Sequence, residues 1–162
     1  LGNSTQLSYT DTITLIGTEN LNGHTYLKYS GDFLGTSSIW YERDSSGYIV
    51  DNYGKIMYSY LENIDIADYS DPITMIRTQV RMGANTTVTI PLLGTLEVLD
   101  KQTELSKTDG SVLTACNDYS YTFNNHYASG IGQVQSTLAF FSGLTAQCKT
   151  LKRELVAYHI AP

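Results

Sequence analysis

Carboxylates at regular intervals are the first residues in this chain that could do chemistry. Asp65, Asp68 and Asp71 recur at every third position within the acidic stretch from Glu62 to Pro72. Clustered carboxylate oxygens are the ligands that Ca²⁺ prefers, although the spacing differs from that of an EF-hand and lacks its central glycine. We therefore weigh a Ca²⁺ site against a solvated acidic loop, and expect no other cofactor.

Three histidines, His24, His126 and His159, could supply a base or metal ligands, because imidazole titrates near neutral pH. No two of them have His-x-His or His-x-x-x-His spacing, and the chain has no Gly-x-Ser-x-Gly nucleophile motif. The members of a Ser-His-Asp triad meet only in three dimensions, so a hydrolase stays as the third alternative. We expect a protein without enzymatic activity.

Tyrosine is the third chemical feature, with 13 residues of this type in the chain. A tyrosine ring combines an apolar face with a hydrogen-bonding tip, which suits contacts with sugars, peptides or protein surfaces. The alternative is that these rings pack along half-covered strands. The residues that we predict to form a binding face are Trp40, Tyr41, Tyr58 and Tyr60.

The two cysteines, Cys116 and Cys148, are too far apart for a Cys-x-x-Cys metal or redox motif. In an exported protein they could form a disulfide, and the chain-entropy model gives about 3 to 4 kcal/mol for closing such a loop. The alternative is a pair of buried thiols that pack as small apolar side chains.

Length, composition and charge limit the number of domains and exclude two classes of protein, nucleic-acid-binding proteins and proteins with membrane-spanning helices. The chain has 162 residues, of which 41% are hydrophobic and 16% charged, so we expect one domain over residues 1–162 with a real core. Its net charge of −6 and the lack of a basic cluster exclude binding to a nucleic-acid backbone. No apolar run is long enough to form a membrane-spanning helix.

Most of the chain alternates apolar and polar residues with the period of a β-strand, and tight-turn signals such as Asn22-Gly23 separate the strands. The stretch from Glu62 to Pro72 breaks this alternation and ends in Asp-Pro, which predicts a loop or a short helical turn. Gly83-Ala84-Asn85 is predicted to end a strand. The pattern therefore predicts an all-β, single-domain antiparallel meander of about ten strands, arranged as a sandwich or a partly closed barrel.

The segment from His126 to Ile160 predicts a closing β-hairpin after a bend at Gly130 and Gly132. Its pattern, Tyr-x-x-Gly-Ile-Gly-x-Val from Tyr127 and then Arg-Glu-Leu-Val-x-Tyr-x-Ile from Arg153, resembles the closing segment of uncharacterised exported lipoproteins of Bacteroidetes-type bacteria. The resemblance implies an exported β domain, at the outer membrane, in the periplasm or outside the cell. It also implies that membrane attachment occurs only through a lipid on a cysteine absent from this chain. It implies no catalytic residues.

These observations predict a non-enzymatic binding or interaction module of the cell envelope or the extracellular space. Its partner would be a small ligand, a polymer or a protein. The alternative is a structural or accessory domain of an envelope assembly. A preformed concave pocket would favour the binding module, whereas a filled core with a flat exposed aromatic patch would favour the structural role.

Overall fold

The computed structural model describes residues 10–33, 36–110, 122–142 and 147–159. These residues form eleven strands and no helix. The strands are β1 (Ile13–Leu21), β2 (His24–Phe33), β3 (Thr36–Ser45), β4 (Tyr48–Asp51), β5 (Ile56–Ser59), β6 (Ile64–Asp71), β7 (Ile76–Ile90), β8 (Gly94–Lys107), β9 (Thr122–Ala128), β10 (Gly132–Ser142) and β11 (Gln147–Glu154). The predicted all-β fold is confirmed.

Both sheets are antiparallel meanders. The five-stranded sheet has the order β1-β2-β3-β4-β5, and the six-stranded sheet has the order β11-β10-β9-β8-β7-β6. Every neighbour in space is therefore also a neighbour in sequence, as expected when tight turns join successive strands. Among the described strands neither sheet closes on itself, so of the two predicted arrangements the barrel is not formed.

Turn chemistry sets the register of the first hairpin. Asn22 and Gly23 join β1 to β2 and both have positive φ, at 52° and 79°. A two-residue turn with this backbone matches the twist of the flanking strands, and Asn-Gly tolerates it better than other pairs. Leu21 consequently pairs with His24, and the register continues to Ile13 opposite Gly31, with one shift between Leu15 and Gly17.

Two predictions about local structure are wrong. The acidic stretch after Glu62 is not a loop, because residues Ile64 to Asp71 form β6 and pair with β7. Its aspartates indicated a loop, yet β7 presents Arg77 and Arg81 opposite this strand, so the carboxylates gain cross-strand partners.

The second error concerns Gly83-Ala84-Asn85, which does not end a strand. β7 continues through it as one strand of 15 residues. The pairing with β8 shifts between Met82 and Asn85, so an irregularity absorbs the extra residue while the strand goes on. Met82 and Ile90, on either side of it, are almost completely buried, and their packing outweighs the local turn signal.

Two compact units divide the chain, residues Leu1–Met57 and Tyr58–Pro162, called unit 1 and unit 2 below. Unit 1 buries Tyr26 and Val50. Unit 2 has a hydrophobic core of the buried residues Val98, Ala128 and Val134, against which Val88, Leu96, Ile131 and Leu155 pack. The assignment of the whole chain to one domain stays a prediction.

The predicted closing hairpin is present, but its second strand is shorter than predicted: β11 ends at Glu154, and residues 155–159 belong to no strand. β10 pairs with β11 from Gln135 opposite Glu154 to Ser142 opposite Gln147. A turn between Ala128 and Gly132 joins β9 to β10, and Gly132 has φ of 97°, which L side chains rarely adopt. Glycine is therefore required there by the backbone.

Candidate functional site

A pocket of about 230 Å³ lies within unit 1, where β3 meets the turn between β4 and β5. Its lining residues are Ile39, Trp40, Tyr41, Glu42, Asp51, Asn52, Tyr53 and Met57. Aromatic and apolar side chains thus stand beside two carboxylates and an amide. A few polar groups among apolar walls is the usual composition of a ligand site.

Cross-strand packing holds Trp40 in place. Trp40 lies directly opposite Tyr29 in the β2–β3 register, and the two rings stack with centroids 5.7 Å apart and planes inclined by 14°. The Trp40 ring also covers Gly31, because a Cβ atom built on that glycine would lie 3.0 Å from the Trp40 Cη2 atom. A side chain at position 31 would occupy the space that the indole needs. The tryptophan is therefore preorganised, which lowers the entropy lost when a ligand binds.

The β4–β5 turn fixes the other side of the pocket. The Asp51 carboxylate oxygen Oδ1 accepts the backbone N–H groups of Tyr53 and Lys55, each at 2.9 Å. The backbone N–H of Asp51 also donates to the Lys55 carbonyl at 2.9 Å, and that of Gly54 donates to the Asp51 carbonyl at 3.1 Å. This hydrogen-bonded loop presents Tyr53, whose side chain is 89% exposed. These hydrogen bonds fix the conformation of the turn, and its tyrosine is exposed to a ligand.

The charge on the pocket wall is negative. Glu42 and Asp51 lie directly opposite each other in the β3–β4 register, so their side chains project from the same face of the sheet as Trp40. On this face, burial raises the pKa of the Tyr29 hydroxyl, and the nearby Glu42 charge raises it further. The tyrosine hydroxyl therefore stays a neutral hydrogen-bonding group. A wall of this kind favours neutral or cationic ligands over anions.

A polar group on the opposite face of β3 supports Tyr41. The Glu19 carboxylate accepts the Lys28 ammonium at 2.8 Å and the Tyr41 hydroxyl at 3.2 Å. The hydrogen bond from Lys28 lowers the pKa of Glu19, and the same bond raises the pKa of Lys28. The pair is only partly buried, so its role is to orient the Tyr41 ring rather than to stabilise the sheet strongly.

The four residues predicted to form a binding face fall into two groups. Trp40 and Tyr41 are both among the residues that line the pocket of unit 1, although the Tyr41 ring points to the opposite face of β3, toward Glu19. Tyr58 and Tyr60 belong to unit 2, where the Tyr58 ring stacks on Tyr127 with centroids 4.3 Å apart. Tyr60 is 48% exposed. Tyr58 therefore agrees with the alternative that the aromatic rings pack along the strands. Of the four predicted residues, only Trp40 and Tyr41 are at the pocket.

The three aspartates predicted to bind Ca²⁺ each have other partners. Asp68 forms a two-pronged ion pair with Arg77, and Asp65 lies 3.7 Å from the Arg81 guanidinium. Asp71 accepts the Ile73 backbone N–H at 2.8 Å. Among the residues that the structure describes, no group of three or more acidic, histidine or cysteine side chains is arranged to hold a metal ion. Calcium binding at this strand stays a prediction.

The predicted disulfide lies outside the described residues, because Cys116 falls in the 111–121 gap and Cys148 is described only as backbone. The pairing of the two cysteines therefore also stays a prediction.

Sequence reasoning did not select Glu42, Asp51 and Tyr53 as site residues. The available signal was the turn Asp51-Asn52-Tyr53-Gly54 following a short strand, because an aspartate at the start of such a turn commonly binds backbone N–H groups further on. No feature of the sequence indicated the strand register that places Glu42 opposite Asp51.

Comparisons with known proteins yield no relative. No family model, curated protein or solved structure matches the chain. Within the described residues no helix is long and apolar enough to cross a membrane.

Proposed function

We propose that this chain is a non-enzymatic binding module, exported to the cell envelope or the extracellular space, whose unit 1 binds one residue of a neutral polysaccharide. The observation that carries the proposal is the preorganised pocket at Trp40 and Tyr53, with the carboxylates of Glu42 and Asp51 beside it. The aromatic surface and the scarcity of charged residues favour a polar, uncharged partner. The resemblance of the closing segment to exported lipoproteins supports a location in the cell envelope or the extracellular space.

The size and chemistry of the pocket support this class of ligand. A volume of about 230 Å³ is below the roughly 300 to 1,000 Å³ of pockets that enclose drug-sized molecules, so the site accommodates a single small unit. A sugar ring has an apolar face that can lie on an aromatic ring and hydroxyl groups that donate to carboxylates. An anionic polymer would be repelled by Glu42 and Asp51 and by the net charge of −6.

The test uses neutral oligosaccharides, cellohexaose, xylohexaose and mannohexaose, added to the ¹⁵N-labelled protein while amide and Trp40 indole resonances are followed by NMR. We expect at least one of them to shift the Trp40 indole signal, and Tyr53→Ala to weaken binding at least about fivefold. Tyr53 is 89% exposed, so its replacement leaves the fold intact.

Tyr69→Ala is the matched control, because Tyr69 is 53% exposed but lies in β6 of unit 2. It should leave the affinity unchanged. The proposal would be overturned if none of the three sugars shifted the indole signal at millimolar concentration, or if the two variants weakened binding equally.

A structural role in an envelope assembly is the second candidate, and β1 favours it. β1 is the terminal strand of the five-stranded sheet and carries Ile13, Leu15 and Ile16, which are each about half exposed. An outer strand with exposed apolar residues is suited to pairing with another chain. Light scattering distinguishes the two roles: a concentration-dependent oligomer that Leu15→Lys dissolves would support assembly, and a monomer at all concentrations would contradict it.

A further inference from the structure

A row of polar side chains runs across four neighbouring strands, β8 to β11, of the six-stranded sheet within unit 2. Asp100 on β8 lies opposite His126 on β9, His126 lies opposite Gln135 on β10, and Gln135 lies opposite Glu154 on β11. Directly opposed residues project from the same face, so the four side chains form a continuous line. The binding pocket of unit 1 does not use this line.

Starting from β11, each side chain of the line lies close to the next one. The Lys152 ammonium lies 2.8 Å from the Glu154 carboxylate oxygen Oε1, and the same oxygen accepts the Gln135 amide nitrogen at 3.0 Å. The Gln135 oxygen Oε1 lies 3.1 Å from Nδ1 of His126. At the far end, Nε2 of His126 is 3.6 Å from Oδ1 of Asp100.

The direction of these hydrogen bonds determines which imidazole nitrogen carries hydrogen. A carboxylate paired with an ammonium can only accept, so the NH₂ group of Gln135 must face Glu154. The Gln135 carbonyl oxygen then faces His126 and accepts a hydrogen from Nδ1. In the neutral ring, Nε2 is consequently a lone-pair acceptor that faces another acceptor, the Asp100 carboxylate.

Two hydrogen-bond acceptors that face each other repel, and at this position little water is available to hydrogen-bond to either of them. Asp100 and His126 have only 21% and 15% of their side-chain surface exposed. Within the described part of the chain, Oδ1 of Asp100 is buried without a hydrogen-bond partner. Burial raises the pKa of the Asp100 carboxyl, and the charge of His126 opposes that rise. One additional proton removes the conflict, on either group.

We propose that Asp100 and His126 hold one shared proton in the folded protein, and that its loss as pH rises weakens the attachment of the β10–β11 hairpin to β8 and β9. With the proton on His126, Nε2 donates to Asp100; with the proton on Asp100, its hydroxyl donates to Nε2. Without it, the row contains an uncompensated pair of acceptors. The closing hairpin is therefore pH-sensitive.

Other charged groups on this face do not replace the proton. On β6 and β7, Asp65 and Arg81 form an ion pair with each other. Gly83, whose added Cβ would lie 3.6 Å from the Asp100 Cβ, has no side chain to offer a donor. On β8, the Glu104 side chain points to the same face as Asp100, but it adds a further negative charge. On β11, Lys152 forms an ion pair with Glu154.

The sign of the pH effect follows from proton counting. Above about pH 6.5 an ordinary unfolded histidine is neutral, so a proton that the folded pair shares at such a pH is absent from the unfolded chain. The folded state then binds more protons than the unfolded state, so the free energy of unfolding falls as pH rises from about 6 to about 8.

The test combines NMR and thermal unfolding. In the wild-type protein, imidazole ¹⁵N shifts at about pH 7 should show Nδ1 of His126 bearing hydrogen. Finding neutral His126 with its hydrogen on Nε2 throughout this pH range would overturn the proposal, and this measurement needs no variant.

The variant Asp100→Asn supplies an NH₂ donor for Nε2 and should reduce the fall in Tm between about pH 6 and 8 to less than half of the wild-type fall. His24→Gln, which removes an exposed histidine of unit 1, is the control and should retain the full fall. An Asp100→Asn protein with the wild-type pH dependence would contradict the shared proton.

Discussion

Gly31→Ala tests how closely Trp40 is packed against β2. A Cβ atom at position 31 would lie 3.0 Å from the Trp40 Cη2 atom, 3.0 Å from the Thr12 carbonyl oxygen and 3.2 Å from Ile13 Cγ1. All three contacts are tighter than a methyl group normally makes, and one of them involves backbone. Either the indole ring moves off the strand or β1 shifts.

The expected magnitude is the difference between two terms. Overpacking of this kind costs about 1 to 3 kcal/mol. Replacing glycine by alanine also restricts the unfolded chain, which returns about 0.4 to 1 kcal/mol. From the midpoints of these two ranges we expect Gly31→Ala to lower the free energy of unfolding by about 1.3 kcal/mol. For a chain of this size, each kcal/mol lowers Tm by about 2 to 4 °C.

Urea denaturation followed by tryptophan fluorescence measures this effect at the site itself, because Trp40 is the only tryptophan of the chain. The emission maximum of the folded variant should also move, since the ring changes its environment. Gly83→Ala is the matched control: its added Cβ would lie at ordinary distances of 3.5 and 3.6 Å from Asp100 atoms, so its stability should be unchanged or slightly higher. A Gly31→Ala protein with wild-type stability and emission would refute the packing argument.

Two other substitutions test backbone and turn. Gly132→Val should lower the free energy of unfolding by about 1 to 3 kcal/mol through backbone strain alone, because φ is 97° there and, among the described residues other than its chain neighbours, no atom lies within 4 Å of the added Cβ. An unchanged urea midpoint would contradict it. In the variant Asp71→Asn, the free energy of unfolding should fall less steeply as pH is lowered. The reason is that hydrogen bonds from the Ile73 backbone N–H and the Thr74 hydroxyl lower the pKa of Asp71. The carboxylate thus stabilises the fold above its unfolded pKa of about 3.9, and that contribution disappears as pH falls through the lower folded value. Circular dichroism between about pH 2 and 5 measures this, and identical acid profiles would count against it.

Local signals predicted much of the fold. The Asn22-Gly23 turn, the alternation of Ile39, Trp40 and Tyr41 and the closing hairpin all depend on residues near one another in sequence. A meander needs little more, since each strand pairs with the next. Period-two patterning and turn chemistry therefore determine most of this architecture.

The errors arose where a partner strand outweighed local preference. Asp65 and Asp68 in isolation indicate a loop, but β7 places an arginine within reach of each. Gly83 in isolation indicates a strand end, but the buried residues Met82 and Ile90 hold the backbone on both sides of it. Cross-strand partners depend on register, which a single sequence does not reveal.

The same limitation explains why the pocket was only half predicted. Trp40 and Tyr41 could be selected by residue type, because large aromatic side chains dominate binding surfaces. Glu42 and Asp51 became site residues only through their pairing, and Tyr53 through the turn that Asp51 closes. The His126 row has the same origin, since four strands must be in register before its members touch.

Trp40 connects the packing of unit 1 to its proposed activity, and this connection separates two kinds of variant. Gly31 does not line the pocket, yet its substitution displaces the ring that does, so Gly31→Ala should reduce both stability and sugar binding. Tyr53 is 89% exposed on a turn closed by Asp51, so Tyr53→Ala should reduce binding alone. Binding that survived Gly31→Ala while the Trp40 emission changed would show that the indole supports the sheet and does not contact the ligand.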